Sequence, residues 1–408
     1  MNPMNLEVNG TVTHASFQDR MTVLKQLAQN AGIYLPTTII PEGESLIPYG
    51  EDRKRALKDE IYALPTVAEA SSFIRQVRME QNPIDATVPL QRVRMNPDNG
   101  GIFGPGMEPS AALGYSPVAF SQACAEIKPD SVKMGFGQTL AALPPSIRAD
   151  AFNHFAENKS GEKDVVLRTI KTPQRVRDGS LVLRRSMQAV VSERYSAVED
   201  YDMMDDLNIV MPDGARCKYV TTDSRSDLEI FWPAMSRELK VGDIALIALH
   251  VSNSQTKQGS IRVVPKLLRV LCLNFTTAWG EGVETDISVI HMGEARRKFA
   301  AAIRHALDTV EPFVIAFGDA YQNALPAFAP TRGEVITSAV KRFELPAKFG
   351  DSIAASWDMD RANGAGDTLA GLANAMTRAS QELVIERASV IESAAGNLIK
   401  NGWGALTA

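Results

Sequence analysis

Residues 165–195 read VVLRTIKTPQRVRDGSLVLRRSMQAVVSERY. Val165 to Ile170 is rich in β-branched residues and reads as a strand. Asp178-Gly179 is a hairpin-turn pair, because both central positions of such a turn need positive φ. Leu181 to Arg185 and Ala189 to Val191 then continue the sheet. Glu199 to Leu207 opens acidic and places Met203, Met204 and Leu207 at helical spacing, so a helix follows the strands. The segment predicts a β-β-β-α core.

On the C-terminal side, further strands are expected at Lys218–Thr222, Leu228–Trp232, Ile244–Val251 and Ser260–Leu273. Helices follow at Glu294–Val310, with Phe299, Ile303 and Leu307 on one face and an end before Pro312. Val314–Leu325, Gly333–Phe343, Asp367–Ala379 and Gln381–Ile399 complete a helical C-terminal part. On the N-terminal side, Phe17–Asn30 and Val67–Arg78 have helical periodicity, and Thr66 with Glu69 forms a capping-box pattern. Asn96–Pro109, dense in Gly and Pro, reads as a long loop or linker. Pro145–Glu157 reads as a helix with Pro in its first turn.

Strands first and helices afterwards predict an α+β fold. It has a central, mostly antiparallel sheet, a helical N-terminal region and a helical C-terminal part. The expected divisions are 1–110, 111–160, 161–280 and 281–408.

The chain has 408 residues, 45% of them hydrophobic and 22% charged, and a formal net charge of -5. Such a composition is that of a globular protein and excludes one that is basic throughout. It leaves room for a local basic face, since counterion release depends on the charges that meet phosphate. The cysteines Cys124, Cys217 and Cys272 are widely spaced and odd in number. They fit a reducing compartment and argue against a disulfide frame or a thiolate zinc cage. With no long apolar run and no basic, apolar leader, a cytoplasmic protein without membrane association is expected.

Asn363-Gly364-Ala365-Gly366-Asp367-Thr368 looks like the anion-hole loop of sugar kinases. The Gly-Gly signature and alternating βα units that such kinases need are missing, so it reads as a glycine-containing loop before a helix. No Walker loop, zincin motif, nucleophile elbow or dinucleotide fingerprint occurs. No catalytic residue, cofactor or metal ligand is assigned. The one trio weighed is His250, Cys272 and His291, which needs neighbouring strands to converge.

Charge is more informative. Residues 165–195 carry Arg168, Lys171, Arg175, Arg177, Arg184, Arg185 and Arg194 against only Asp178 and Glu193. Lys257, Arg262, Lys266 and Arg269 add a second basic run without an acid. On one shared sheet these cations would line a groove that tracks a phosphate backbone. The alternative is two solvated strand faces paired with the acidic helix, because alternation sends some arginines to the other face.

Ordered blocks of sequence carry a resemblance. They are Arg168 through Arg177, Ser192-Glu193-Arg194-Tyr195, Val251-Ser252-Asn253-Ser254 with Gly259, and Leu271-Cys272-Leu273-Asn274. His291-Met292-Gly293 and Asn374-Ala375-Met376-Thr377 follow. Together they resemble the phage/plasmid-like proteins grouped as domain of unknown function 932. Tyr195, Asn253, Ser254, Gly259, Cys272, Asn274, His291, Asn374 and Thr377 are its motif positions. The resemblance implies a mobile-element setting in a bacterial cell but no reaction.

The basic core also looks similar to that of phage single-strand annealing recombinases. That likeness implies a homo-oligomer that binds single-stranded DNA without nucleotide hydrolysis, alongside phage or host DNA-processing proteins. Two alternatives stay open: a protein-interaction factor such as a host-defence inhibitor, and a metal-dependent enzyme built on the His250 trio.

Overall fold

A computed structural model describes residues 13–14, 62, 64–106, 113–132, 135–159, 161, 163–175, 181–221, 225–240, 243–269, 274–276, 287–327, 331–362, 366–380, 383 and 385–406. The helix expected at 17–30 lies outside them. The fold is α+β, with helices packed on antiparallel sheets. Among the described residues no helix is long and apolar enough to cross a membrane.

The first sheet centres on a long hairpin, β6 (Asp164–Arg175) and β7 (Leu181–Ser192). Outside β6 lie β1 (Thr13–His14) and β2 (Ile84–Pro89), while β5 (Gly114–Tyr115) runs parallel to β7. The two runs expected at 181–185 and 189–191 are one strand. Ser186 and Gln188 interrupt the apolar alternation, but a bulge opposite Arg168 and Thr169 absorbs the irregularity. The hairpin therefore takes its third strand from β2, upstream in sequence.

The Gly-rich stretch after Asn96 is no linker at its start. Strands β3 (Arg94–Met95) and β4 (Ile102–Phe103) pair across it, with Gly100 at φ +68 in the turn. The Asn153 side chain fixes this hairpin, accepting from Met95 N at 2.7 Å and donating to Met95 O at 2.9 Å.

The second sheet runs β12 (Asn274–Thr276), β11 (Ile261–Arg269), β10 (Asp243–Asn253), β9 (Ser226–Lys240) and β8 (Arg216–Thr221). β13 (Ile287–Val289) pairs with the start of β11. The single sheet implied by shared cations is thus two. β8 does not reach β7, because its free edge meets Pro65 and Thr66, with Cys217 N donating to Pro65 O at 2.9 Å.

Two apolar cores match the two sheets. The first holds Val88, Met95, Phe120, Phe152, Leu167, Met187 and Val190. It is closed by helices α2 (Pro117–Ile127), α3 (Phe136–Ala142) and α4 (Pro145–Glu157). The second begins with α1 (Val67–Gln81) and α5 (Asp200–Val210) and continues through the second sheet into the C-terminal helices. α1 starts where the capping box requires. The Thr66 side chain accepts from Glu69 N at 3.2 Å, and Glu69 accepts from Thr66 N at 2.7 Å.

The C-terminal layer comprises α6 (Ala295–Ala324), α7 (Arg332–Arg342), α8 (Phe349–Ala362), α9 (Leu369–Ser380) and α10 (Ile385–Asn401). Pro312 does not end a helix. It lies inside α6, whose apolar stripe of Phe299, Ile303, Ala306, Val310, Phe313, Phe317 and Tyr321 runs unbroken along the core. Burial of that stripe outweighs the roughly 3 kcal/mol that an interior proline costs.

Candidate functional site

The two cores meet at a buried ionic knot. Arg78, in the last turn of α1, donates Nε and Nη2 to Glu199 Oε2 at 2.9 and 2.6 Å. Arg168 of β6 pairs with the other Glu199 oxygen, and its Nη1 lies 3.7 Å from Asp85 of β2. The Arg78 and Arg168 side chains are only 8% and 3% exposed. Burial holds both guanidinium pKa values below the ordinary arginine value. Glu199 stands at the N-cap of α5, yet its side chain makes no capping bond. Its carboxylate serves the two arginines instead.

Asp200, one residue on, is saturated by neutral donors. Asn253 Nδ2 gives to Oδ1 at 2.9 Å, and the Tyr219 and Ser226 hydroxyls give to Oδ2 at 2.8 and 2.5 Å. The first turn of a helix favours that negative charge. Asn253 Nδ2 also donates to Val198 O at 2.8 Å, tying the end of β10 to the corner before α5.

Four motif positions converge here. The Tyr195 hydroxyl donates to Ser254 O at 2.6 Å, and burial pushes its pKa up to about 12, so the donor stays protonated. The Tyr195 and His291 rings lie 5.0 Å apart, and Ser196 N donates to His291 O at 3.0 Å. Ser254 Oγ accepts from Gln258 N at 2.8 Å and closes the loop between β10 and β11. Lys257 in that loop is exposed, at φ +60. These residues build a rigid corner from segments some sixty and a hundred positions apart.

The remaining motif positions lie elsewhere. Gly259 is exposed in the same loop, Asn274 is in β12, and Cys272 lies outside the described residues. Asn374 Nδ2 reaches the Tyr321 hydroxyl at 3.3 Å, and Thr377 Oγ1 bonds Ala373 O and Asn374 O at 3.1 and 3.0 Å. Both pack α9 within the helical layer. The Asn363 loop is outside the described residues as far as Ala365. Beyond it Thr368 caps α9, accepting from Gly371 N at 3.1 Å.

The cations divide. Arg168 and Lys266 turn inward, contrary to a phosphate-contact role: Lys266 Nζ lies 2.7 Å from Glu392 of α10, and its side chain is 2% exposed. Lys171 and Arg185 are Cα partners on one face of the hairpin, whereas Arg184 is on the opposite face beside Thr172. Arg184 and Arg194 are exposed, and Lys171 and Arg185 are partly so. Arg185 Nη1 donates to Asn82 O at 3.0 Å and to Thr169 Oγ1 at 3.1 Å. Arg262, partly buried, belongs to the second sheet. Arg269 ends β11 and Arg175 ends β6, their side chains lying outside the described set as Arg177 does entirely. Of the acidic segment, Glu199 pairs with the strand arginine Arg168, while Asp202, Asp205 and Asp206 pair with Arg75 and Arg296 from α1 and α6.

His250 and His291 do not converge. His250 Nε2 lies 2.9 Å from Asp227 Oδ1, and its Cα partner on β11 is Val264. His291 follows Val289, which pairs with Ile261, and bonds Ser196 O through Nδ1 at 3.3 Å. At roughly 3.3 Å per residue, the three positions from Ile261 to Val264 alone separate them along β11 by about 10 Å. Among the described residues no group of three or more His, Cys, Asp or Glu is placed to hold a metal ion. Cys124 and Cys217 are buried, and burial raises both thiol pKa values, Cys124 to about 12, which leaves them unreactive.

Burial, then the nearby Lys266, lowers the His250 pKa below its ordinary value near 6.5, and burial also lowers that of His291. The unfolded chain therefore takes up protons below about pH 6.5 that the folded chain refuses. Stability should fall as pH drops through this range, by up to about 1.4 kcal/mol per pH unit for each proton. Urea unfolding at stepwise lower pH should show this slope, and His250→Gln with His291→Gln should flatten it. An equal slope in that double variant would remove the assignment.

Residues 188–377 match the family model described as Domain of unknown function (DUF932). No curated protein and no solved structure matches the chain. The matched stretch contains every converging motif position, while Arg78, Arg168, Arg184 and Arg185 lie outside it.

Proposed function

We propose, for a chain whose residues 188–377 carry a DUF932 domain, that it binds single-stranded nucleic acid through a basic arm. One observation carries this reading. Among the described side chains, those of the β6–β7 hairpin that enter the apolar core reach no further out than Leu167 and Met187, and the strands continue to Arg175 and from Leu181. That distal half bears Lys171, Arg175, Arg184 and Arg185 and no acid. Lys171 and Arg184 put charge on opposite faces of the ribbon, so a strand that crosses it meets cations on both sides.

Such an arm grips phosphates and leaves bases free to pair, which fits annealing or recombination in a phage- or plasmid-type DNA metabolism without nucleotide hydrolysis. The edge of β7 beyond Ser186 has no strand partner among the described residues, and cations there also keep it from pairing with foreign strands.

Anisotropy of a labelled oligothymidylate tests the reading. Three phosphate contacts give log K a slope of about -2 against log salt, at about -0.7 per contact. Arg184→Ala and Lys171→Ala should each flatten the slope by about 0.7. Arg185 is the poorer probe, since it also holds Asn82. Binding that is absent at low ionic strength, or indifferent to salt, would end the proposal.

A further inference from the structure

The geometry points to the outer edge of β2 as a docking site for an extended segment of another protein, one that alternates apolar with basic side chains. Among the described strands β2 pairs with β6 alone. Leu90 N donates to Lys163 O at 2.9 Å, one step beyond the Pro89 and Asp164 pair. Hydrogen-bonded pairs alternate along an antiparallel ladder, so Val88, Ala86 and Ile84 also turn their backbone groups towards β6. The Thr169 hydroxyl donates to Ile84 O at 3.0 Å, in keeping with that register. Asp85 and Thr87 therefore point N–H and C=O outwards, and no described residue bonds those groups.

Residues Ile84 to Thr87 are exposed, Ile84 by 47%. A row of unpaired donors and acceptors of this kind is a template for strand addition, in which main-chain bonds supply the affinity. Proteins commonly blunt such an edge with lysines, a bulge or a cover. β2 carries no lysine, its register with β6 is unbroken, and only Pro89 at its end lacks a donor.

Side-chain alternation sets the pattern of the added strand. Val88 enters the first core, and Ala86 and Ile84 stand on the same face, with Ala86 opposite buried Leu167. Apolar side chains laid beside them would extend that core outwards. Asp85, the one charged residue of β2, is on the other face with Thr87. Its side chain is 45% exposed, so a lysine or arginine directly across from it is favoured. A second copy of β2 is disfavoured, because pairing through the same outward groups brings both Asp85 carboxylates onto one face. This inference does not rest on the nucleic-acid reading, whose cations lie further out along the β6–β7 hairpin.

Calorimetric titration of the full chain with a synthetic peptide of alternating valine and lysine tests it. The matching valine and glutamate peptide should bind at least about tenfold more weakly, and Asp85→Asn should narrow that gap. Thr87→Pro removes an outward N–H and no bond to β6, so the fold should stand while binding of the lysine peptide drops at least about tenfold. Far-ultraviolet circular dichroism checks that both variants are folded. Hydrogen exchange supplies a second readout, since the bound peptide should protect the amides of Asp85 and Thr87. A lysine peptide that does not bind, binds equally well to Thr87→Pro, or protects amides elsewhere than β2 would overturn the inference.

Discussion

Glu199→Gln is expected to destabilise the protein by about 3–5 kcal/mol, more than the loss of either arginine that it binds. The substitution keeps the shape and removes the charge. Two buried guanidiniums would then lack their shared counter-ion, with Asp85, its side chain 45% exposed, in ion-pair range of Arg168 and the charge of Asp200 acting on both. Arg168→Met is milder, because Glu199 keeps both bonds from Arg78. Asp85 then turns to water at little expense.

The pair of substitutions together should recover part of the loss, since one unpaired cation leaves with the anion. A coupling of about 1 kcal/mol or more is expected in the double-mutant cycle. Urea unfolding of the four proteins measures it, and added salt should change the result little because the pairs are buried. If Glu199→Gln unfolds like the wild type, or Arg168→Met is the more damaging, the knot is not what holds the two cores together.

Much of the architecture was legible because its causes are local. The capping box at Thr66, the proline-started helix at Pro145–Glu157 and the strands around Ile244–Val251 follow from short-range patterns, and each is present. The knot could not be read in this way. Arg78 and Glu199 are 121 positions apart, and a lone arginine in a helix's last turn ordinarily signals only a dipole contact. Glu199 was visible as part of an acidic cluster, but its partners depend on which strand passes above it.

The division of the basic run has a related cause. Alternation sends Arg184 and Arg185 to opposite faces, and the break between β7 and β8 puts Arg262 and Lys266 on another sheet. The ordered motif blocks fared better. Tyr195, Asn253, Ser254 and His291 do meet, and their roles are hydrogen bonds that shape a corner. Pro312 misled because the local rule against interior proline yields to a continuous buried stripe.

The same contest between local preference and packing decides two glycines, with opposite signs. Gly318→Ala in α6 should raise stability by up to about 1 kcal/mol, because a Cβ there meets nothing within 4 Å. Gly371→Ala in α9 should instead lower it by about 2 kcal/mol. A Cβ at Gly371 would lie 2.6 Å from Gly366 O and 2.8 Å from Trp357 Nε1. Those two atoms bond each other at 3.1 Å, and Trp357 is fully buried, so neither has room to retreat.

Overpacking of about 1–3 kcal/mol, with roughly another 1 for the broken tryptophan bond, outweighs the helix-propensity gain of about 1. Gly366 itself is held at φ +68, which leaves its carbonyl little freedom to turn aside. Thermal or urea unfolding of both variants reads the contrast directly. A Gly371→Ala protein as stable as the wild type would mean that α9 can slide away from α8, and that Trp357 is not clamped between them.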